Sequence, residues 1–524
     1  MPLQPHRIGL YGFKKPVKPD STLLASIAGF ILLALVFALA YTQSPLYTSN
    51  QNQYFLHGMA QAGTGYLDQD WLANTRDPTP LFSRLIYITV RWLTLPALFY
   101  IYYALLMGVY IYYLLRIADG LFNLHRSRLQ TLLFLALLIF VHSAALRFTL
   151  SQTLGDNWSY ILEDGVADQR LLGPVFQPSS FGVLLLLSIL LFMNHRPFLA
   201  VLFAVLAASF HPTYLISAAS LTLAYMWVTY REERRLAKPA LLGLAALLLV
   251  SPILYYVYTS FGRSPGDIGA RAQEILVNFR IPHHAIIRQW FDLTVAIKLL
   301  LIASALYLAR KTRLFLVLLV PFGIAFGLTL AQLASGSNAL ALLFPWRIST
   351  FLVPLSTALL LAWLVSTWSN RHAAWFDRHS NILAVACLAL ILAVVLVGIL
   401  RTGLEFRRQA AAGDRPAMAF AASQAAPGQV YLTPADMQDF RLATGLPVYI
   451  DFKSIPYRDK DVLEWRLRVR LAHLFYDEGE CEILEDIQSS GVTHVVDKVD
   501  PAGAACPQLR PIYQDDQYMI YRLE

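Results

Sequence analysis

The sequence predicts an α-helical polytopic membrane protein that ends in a small α/β domain. Of its 524 residues, 56% are hydrophobic and only 15% are charged, which is too apolar for an ordinary soluble protein. Apolar runs of roughly the 20 residues that cross a bilayer recur until about residue 401, where the composition becomes that of a soluble domain. We therefore expect a tail over residues 1–20, a membrane domain over 21–401 and an α/β domain over 402–524.

The basic residues predict how the chain is oriented. The formal net charge is +8, but the Lys and Arg residues lie in short clusters between apolar runs, and no nucleic-acid-binding motif accompanies them. Such clusters are typical of cytoplasmic loops. Because the N-terminal tail is basic, we expect it in the cytoplasm. About eleven spans, an odd number, then put the two ends of the chain on opposite sides of the membrane. The C-terminal domain is then expected on the exoplasmic, or periplasmic, side of a plasma (inner) membrane.

The predicted spans are separated by charged or turn-forming residues. The first run, 21–41, is longer than the roughly 7 to 15 apolar residues of a signal peptide, so we expect it to be retained. Arg84–Leu95 mixes arginines with Trp92, which is typical of a helix in the membrane interface. The other spans, of which the third and fourth are short for full crossings, are predicted at 96–115, 131–146, 181–193, 198–210, 215–230, 240–258, 293–309, 314–334, 344–363 and 381–400.

The C-terminal domain shows both helical and strand-like patterns. DVLEWRLRVRLAHLF has the apolar spacing of a helix. QVYLTP, LPVYIDF and GVTHVVDKV are typical of strands, and LRPIYQDDQYMIYRL is typical of a closing hairpin. This combination predicts a small α/β domain.

The three cysteines form neither a zinc-binding pattern nor a redox CxxC motif. Cys387 lies in a predicted span and is expected to be a small apolar filler. Cys481 and Cys506 lie in the predicted exported domain, where an oxidising compartment would allow them to form a disulfide.

Polar residues concentrate in three predicted exoplasmic loops, at 42–95, 147–180 and 259–292. Few charged residues lie within spans. Lys298 is close enough to a span end to extend its ammonium group to the interface, and a lone histidine such as His142 is more often a satisfied core residue than a proton relay. This distribution favours a site at the outer membrane surface over a conduit through the membrane.

The first loop carries the predicted catalytic residues, Asp70 and Asp77. A carboxylate in this position can take a proton from an acceptor hydroxyl, or hold a divalent cation beside a phosphate. The sequence leaves the metal requirement open. The structural alternative for DPTP, which contains Asp77, is a simple turn.

Some arginines lie on the predicted exoplasmic side, although Lys and Arg are usually concentrated in cytoplasmic loops. They predict a phosphate site, because a guanidinium group can bind phosphate through two hydrogen bonds. Arg280 lies in FRIPHH and Arg347 in PWR. The structural alternatives are contacts with lipid headgroups and, for HPTY, a helix kink. The predicted substrate-binding residues lie in or beside the outer loops: Arg280, His283, His284, Arg347, His211 and Asp164.

One segment of the first loop carries a family resemblance. NQNQYFLHGMAQAGTGYLDQDW is similar to the segment of the aminoarabinose and mannosyl transferase branch of the GT-C glycosyltransferases that contains an acidic pair, a Tyr, a helix and an Asp-Trp. The arrangement of spans, acidic loop and exported domain also resembles that superfamily, over nearly the whole chain. The family's catalytic acid stands at the start of the segment, where this sequence has the amides Asn50 and Gln51. Asp70, in the matched Asp-Trp, and Asp77 are the nearest substitutes.

The resemblance implies a membrane glycosyltransferase that moves a sugar from a polyprenyl phosphate or diphosphate carrier to an exoplasmic glycan, lipid or protein acceptor. Two other classes stay open. The missing acidic pair favours a non-catalytic protein for lipid-linked glycan binding or envelope assembly. A transporter would share the short hairpin at 181–210. A transporter would also be expected to carry charged residues in the middle of the membrane, and the predicted spans contain few.

Overall fold

The computed structural model describes residues 23–499 and 506–524, most of which are helical. The predicted tail over 1–20 lies outside the described residues. Short helices in the loops join a bundle of longer ones. The bundle helices are Leu23–Tyr41, Leu98–Phe122, Arg128–Val141, Ala144–Leu154, Val183–Met193, Pro197–Phe210, Leu215–Glu233, Ala237–Phe261, Leu293–Ala309, Leu314–Ser335, Ser349–Arg371 and Ser380–Ala410.

The bundle supports a membrane protein. Within 23–499 and 506–524, five helices are long and apolar enough to cross a membrane, and a sixth span is added if the pair Arg128–Val141 and Ala144–Leu154, bent by 47°, counts as one. A helix, or this bent pair, lies at the position of every predicted span. Among the remaining segments, the shorter apolar helices are Ile27–Tyr41, Pro178–Met193, Pro197–Phe210 and Leu293–Ala309.

Local chemistry explains several helix ends. The Ser143 side chain accepts a hydrogen bond from the Leu146 N–H, and Asp292 accepts one from Val295 N–H, so both are N-caps. His211 follows the helix that ends at Phe210, and Pro212 begins the next turn. The break predicted at HPTY is therefore confirmed.

The loops also contain ordered helical segments. In the first loop, Pro80–Ile88 continues into a π turn over Thr89–Leu93, and Trp92 is 72% exposed at its end. This helix lies where the interfacial helix is predicted. The other short loop helices are Gln51–Tyr54, Leu56–Gln61, Asp267–Glu274, Pro282–Ala285, Ile287–Trp290, Asn338–Ala341 and Ala373–Arg378.

The C-terminal region forms a small four-stranded sheet packed against helices. Its strands are β1 (Tyr431–Leu432), β2 (His494–Lys498), β3 (Leu509–Gln514) and β4 (Tyr518–Leu523). Their order is β1-β2-β4-β3, with β1 and β2 parallel and the other pairs antiparallel. The predicted hairpin and helix are confirmed. The helices are Arg415–Ser423, Phe440–Thr444, Asp459–Tyr476 and Ile483–Ser489.

Two details of this region differ from the prediction. LPVYIDF is not a strand, because it pairs with the two-residue strand β1 at a single bridge, between Tyr431 and Val448. At this bridge the Tyr431 N–H donates to the Pro447 carbonyl and the Tyr449 N–H donates to the Tyr431 carbonyl. The Val448 N–H, on the edge that faces away from β1, donates to the Asp70 carboxylate. The helix that begins at Ser380 also continues to Ala410, beyond the predicted boundary at residue 401.

A disulfide joins Cys481 to Cys506, as predicted. It closes a loop with a sequence separation of 25 residues, so the chain-entropy model gives a stabilisation of roughly 3 kcal/mol. We expect Cys481→Ser to lower the free energy of unfolding of the C-terminal domain by about that amount. The measurement is denaturant unfolding of the variant and the parent. Equal midpoints, with one thiol newly reactive in the variant, would contradict this stabilisation.

The C-terminal domain contacts the first and third loops. Tyr66 N–H donates to the Gly445 carbonyl at 2.8 Å, and a Cβ added at Gly65, where φ is +54°, would lie 2.3 Å from that oxygen. From the third loop, Ser264 N–H donates to Asp459 at 2.6 Å. These elements therefore lie on the same side of the bundle.

Candidate functional site

Asp70 connects the first loop to the C-terminal domain. It is fully buried, and one carboxylate oxygen accepts hydrogen bonds from the N–H groups of Leu72 and Ala73. The other oxygen accepts from Val448 N–H at 3.0 Å and from Arg441 Nε at 2.7 Å. Because both oxygens are occupied within the protein, this geometry favours a structural role for Asp70 over the predicted role as a base.

Arg441 forms the centre of this connection, which we call the docking triad of Asp70, Arg441 and Asp451. Its guanidinium also binds Asp451, and all three side chains are buried. The two carboxylates raise the pKa of Arg441, although burial opposes them. The sequence pattern does not reveal this triad, because Asp70 and Arg441 are 371 residues apart.

Asp77 lies at the turn before the Pro80–Ile88 helix. One of its carboxylate oxygens accepts from Thr79 N–H at 2.8 Å, and its main-chain carbonyl accepts from the Tyr256 hydroxyl at 2.6 Å. The second carboxylate oxygen has no hydrogen bond from the described part of the chain. The turn predicted at DPTP is present, and Asp77 keeps a free oxygen that can act as a base.

The two amides at the start of the motif segment have structural contacts. Asn50 Nδ2 donates to Gln177 Oε1 at 2.7 Å, and Gln51 Nε2 donates to the Phe176 carbonyl at 3.3 Å. Gln51 Oε1 also accepts from Tyr47 N–H. These amides hold the first loop against the second, and neither can accept a proton as a general base.

Asp164 is engaged in ion pairs. Its carboxylate lies 2.6 Å from Lys298 Nζ and 3.6 Å from Arg170 Nε. Lys298 is only 2% exposed and also donates to the Gly165 carbonyl, so the expectation that it reaches the interface is wrong. The buried carboxylate keeps this ammonium inside the protein. Asp164 is therefore a partner of Lys298 and not an open substrate contact.

Arg347 is buried without a carboxylate partner. Its guanidinium donates to Gln169 Oε1 at 2.7 Å and lies 4.8 Å from the centre of the Tyr214 ring. No ion pair joins it to any acidic residue within 23–499 and 506–524. Its Nε, like Nε1 of Trp346, has no hydrogen-bond partner. Buried donors without partners are costly unless a ligand or water satisfies them.

His211 lies beside Arg347. Its ring is 5.8 Å from that of Tyr54 and 5.7 Å from that of Tyr214, and its Nδ1 has no hydrogen-bond partner. Trp346 also contacts Phe322, in the middle of the Leu314–Ser335 helix, with ring centres 6.2 Å apart. This group of side chains is therefore recessed into the bundle.

Arg280 approaches the same region from the third loop. It donates to the Lys453 carbonyl at 2.6 Å and lies 5.2 Å from the Phe452 ring centre, while its Nε has no partner. Burial lowers the pKa of Arg280, and the charges of Tyr457 and Asp451 only partly oppose that shift. Burial raises the pKa of Tyr54, and Arg347 and Arg280 both oppose that rise. Tyr54 therefore experiences both guanidinium charges.

The histidine pair lies nearby but is expected to be neutral. The rings of His283 and His284 are 4.0 Å apart, and His284 Nδ1–H donates to the Ala167 carbonyl at 2.7 Å. Burial lowers the pKa of His283, and burial followed by His283 lowers the pKa of His284 to about 3. Ala167 has a φ of 57°, a strained conformation of the kind that concentrates at functional sites.

We call the recessed group of Arg280, Arg347, His211 and Tyr54 the basic cluster. The structure brings three of the predicted binding residues together in it, and sequence reasoning missed Tyr54. A cavity beside Arg347 has a volume of only about 10 Å³, which is room for about one water molecule. A larger anion therefore requires the surrounding side chains to move apart.

No group of three or more His, Cys, Asp or Glu side chains in the described ranges is arranged to hold a metal ion. Asp70 is engaged in the docking triad, so its carboxylate is not available as a metal ligand in this arrangement.

A family model described as a domain of unknown function, DUF6798, matches residues 412–472. The match begins just after the long helix that ends at Ala410, and it includes Arg441 and Asp451 of the docking triad. No curated protein matches the chain.

Proposed function

We propose that this protein is a GT-C-like glycosyltransferase that takes a sugar from a polyprenyl phosphate or diphosphate carrier. The observation that carries the proposal is the basic cluster, in which Arg347 is buried and Arg280 half-buried, and neither forms an ion pair with a carboxylate of the described residues. A desolvated guanidinium with free donors is stabilised by an anion, and phosphate matches its planar pair of donors. A carrier phosphate supplies both the charge and the acceptors.

The proposed topology places this cluster near the outer membrane surface. In this proposal the twelve bundle helices make eleven crossings, because Arg128–Val141 and Ala144–Leu154 count as one bent span. The short helices Val183–Met193 and Pro197–Phe210 would cross where the membrane is thinned. The three loops and the C-terminal domain are then exoplasmic. Their mutual contacts support a common side, and the disulfide between Cys481 and Cys506 fits an oxidising compartment.

Of the two predicted catalytic carboxylates, Asp77 remains available for catalysis in this proposal. Its free oxygen would accept the proton of the acceptor hydroxyl as the sugar is transferred, which is general base catalysis. Asp70 would act indirectly, by holding the loop against the C-terminal domain.

A non-catalytic glycan-binding or envelope-assembly role is the second candidate. The specific observation that favours it is the amide pair Asn50 and Gln51, which is committed to contacts with the second loop. Such a protein would use the basic cluster to bind the carrier without transferring its sugar.

Two measurements on the purified protein test the phosphate site and then separate these candidates. The first compares binding of a short-chain polyprenyl phosphate with binding of the corresponding polyprenol, and both candidates predict a clear preference for the phosphate. Equal binding would contradict the phosphate site. The second follows release of a labelled sugar from a lipid-linked donor, with envelope extract as the source of acceptors. Carrier binding without transfer would favour the non-catalytic role.

A further inference from the structure

A cavity of about 210 Å³ lies where the first loop meets the C-terminal domain, and we call it the seam cavity. It is separate from the basic cluster. The volume is below the roughly 300–1,000 Å³ of pockets for drug-sized ligands, so it suits a smaller group. Asn52 of the first loop lines it, together with Asp414, Asp436, Asp439 and Tyr518 of the C-terminal domain.

Asn52 is the feature of this cavity that points to a ligand. Its side chain is 1% exposed, and neither its amide nitrogen nor its amide oxygen has a hydrogen-bond partner. Leaving a buried donor and acceptor unpaired destabilises the free protein. Because the amide faces a cavity, a ligand with hydroxyl groups can satisfy both atoms, since a hydroxyl both donates and accepts.

The charge of the seam cavity excludes an anionic ligand. Three carboxylates, on Asp414, Asp436 and Asp439, face one guanidinium, on Arg415, which pairs with Asp414 and Asp439. Burial, followed by the charge of Asp439, raises the pKa of Asp414. Asp436 is exposed and makes no hydrogen bond or ion pair through its carboxylate in the described chain. Hydrogen-bond donors are therefore favoured, and phosphate or carboxylate groups are repelled.

The seam cavity and the basic cluster lie on opposite sides of one helical turn. Asn52 and Tyr54 both belong to the Gln51–Tyr54 helix, and side chains two positions apart on a helix point in nearly opposite directions. Asn52 lines the cavity, whereas Tyr54 contacts His211 in the cluster. The two sites are thus separated by about the 10 Å width of a helix.

We propose that the seam cavity binds a neutral sugar ring. Asp436 accepts hydrogen bonds from its hydroxyl groups, the Asn52 amide both donates and accepts, and Tyr518 offers an aromatic ring. The assignment of this ring to the acceptor of sugar transfer rests on the proposed function. Binding of a sugar by the cavity does not, because it depends only on the residues that line it.

The test is saturation-transfer NMR on the full chain, in a detergent without a sugar headgroup. The probes are glucose, N-acetylglucosamine and xylose, with glucose 6-phosphate as an anionic counterpart. We expect a signal from at least one neutral sugar and a weaker one from glucose 6-phosphate. Asp436→Asn should weaken sugar binding about 2- to 12-fold, which corresponds to one lost hydrogen bond, and Asn52→Leu, which loses two, about 5- to 150-fold.

The variants are chosen so that misfolding does not imitate the result. Asn52→Leu removes two unpaired buried atoms, so the thermal midpoint should be unchanged or higher. Asp486→Asn, an exposed substitution on another helix of the domain, is the matched control and should bind like the parent.

Three results would overturn the proposal: no signal from any neutral sugar, equal signals from the parent and both cavity variants, or a stronger signal from glucose 6-phosphate. Carrier binding is measured separately. Sugar binding with no preference for polyprenyl phosphate would therefore reject the proposed transferase function and keep the sugar site, and the converse result would do the opposite.

Discussion

Replacing Arg441 with Met should loosen the C-terminal domain from the first loop, at a cost of about 3 to 5 kcal/mol. The substitution leaves Asp70 and Asp451 buried with no cation between them. Removal of one member of a buried ionic group costs more than the group contributes as a whole, because the remaining charges stay desolvated. Hydrogen–deuterium exchange should become faster in residues 66–73 and 440–455, which meet at this contact.

Three further variants show whether the effect comes from the docking triad. Asp70→Asn should also be destabilising, because an amide nitrogen would face main-chain or guanidinium donors. The double variant Asp70→Asn with Arg441→Met should lose less free energy of unfolding than the two single variants together, because the two residues interact directly. Asp77→Asn is the matched control, because the Asn oxygen can still accept from Thr79 N–H. Exchange in Arg441→Met that equals the parent would contradict the structural role of the triad.

Replacing Arg347 should weaken binding of polyprenyl phosphate without unfolding the protein. Arg347→Ala removes charge-assisted hydrogen bonds worth about 1.5–3 kcal/mol, so the dissociation constant should rise roughly 10- to 150-fold. Arg347→Lys keeps the charge but loses the planar fork, and it also loses the ring contact with Tyr214. We therefore expect an intermediate loss for Lys, measured as carrier affinity in detergent.

Arg313→Lys provides a matched control for the loss of a buried guanidinium. Arg313 lies elsewhere in the bundle and pairs with Glu232 at 2.8 Å, so its substitution should leave carrier affinity unchanged. Arg280→Ala should act in the same direction as Arg347→Ala, because both guanidinium groups belong to the basic cluster. Unchanged affinity in both alanine variants would remove the cluster as the phosphate site.

The local pattern of the sequence was sufficient for most of the fold. Apolar runs of about 20 residues predict helices that can cross a membrane, and a helix or a bent helix pair lies at the position of each predicted span. Turn and cap residues marked their ends, as HPTY shows at His211. The C-terminal hairpin followed from alternation in β3 and β4. These features depend on neighbours along the chain, which the sequence displays directly.

The incorrect predictions have one physical cause: a group that the local sequence assigns to one environment binds a residue that is distant in the sequence. LPVYIDF has the composition of a strand, but it meets the two-residue strand β1 at one bridge only, and Asp70 of the first loop occupies the Val448 N–H on its opposite edge. Lys298 has the length to reach the interface, but Asp164 holds its ammonium at 2.6 Å inside the protein. Neither partner is close in sequence, so no periodicity indicates it.

The sequence by itself determined that the chain forms apolar helices followed by a small sheet domain, because burial of apolar runs and strand alternation are local properties. It also selected Arg280 and Arg347, because arginines on the predicted exoplasmic side go against the usual excess of basic residues in cytoplasmic loops. Only the tertiary structure decided which charges have partners. It committed Asp70 to Arg441 and left the two arginines and Asn52 with unpaired buried atoms, because hydrogen bonding in a buried site depends on which distant segments meet there.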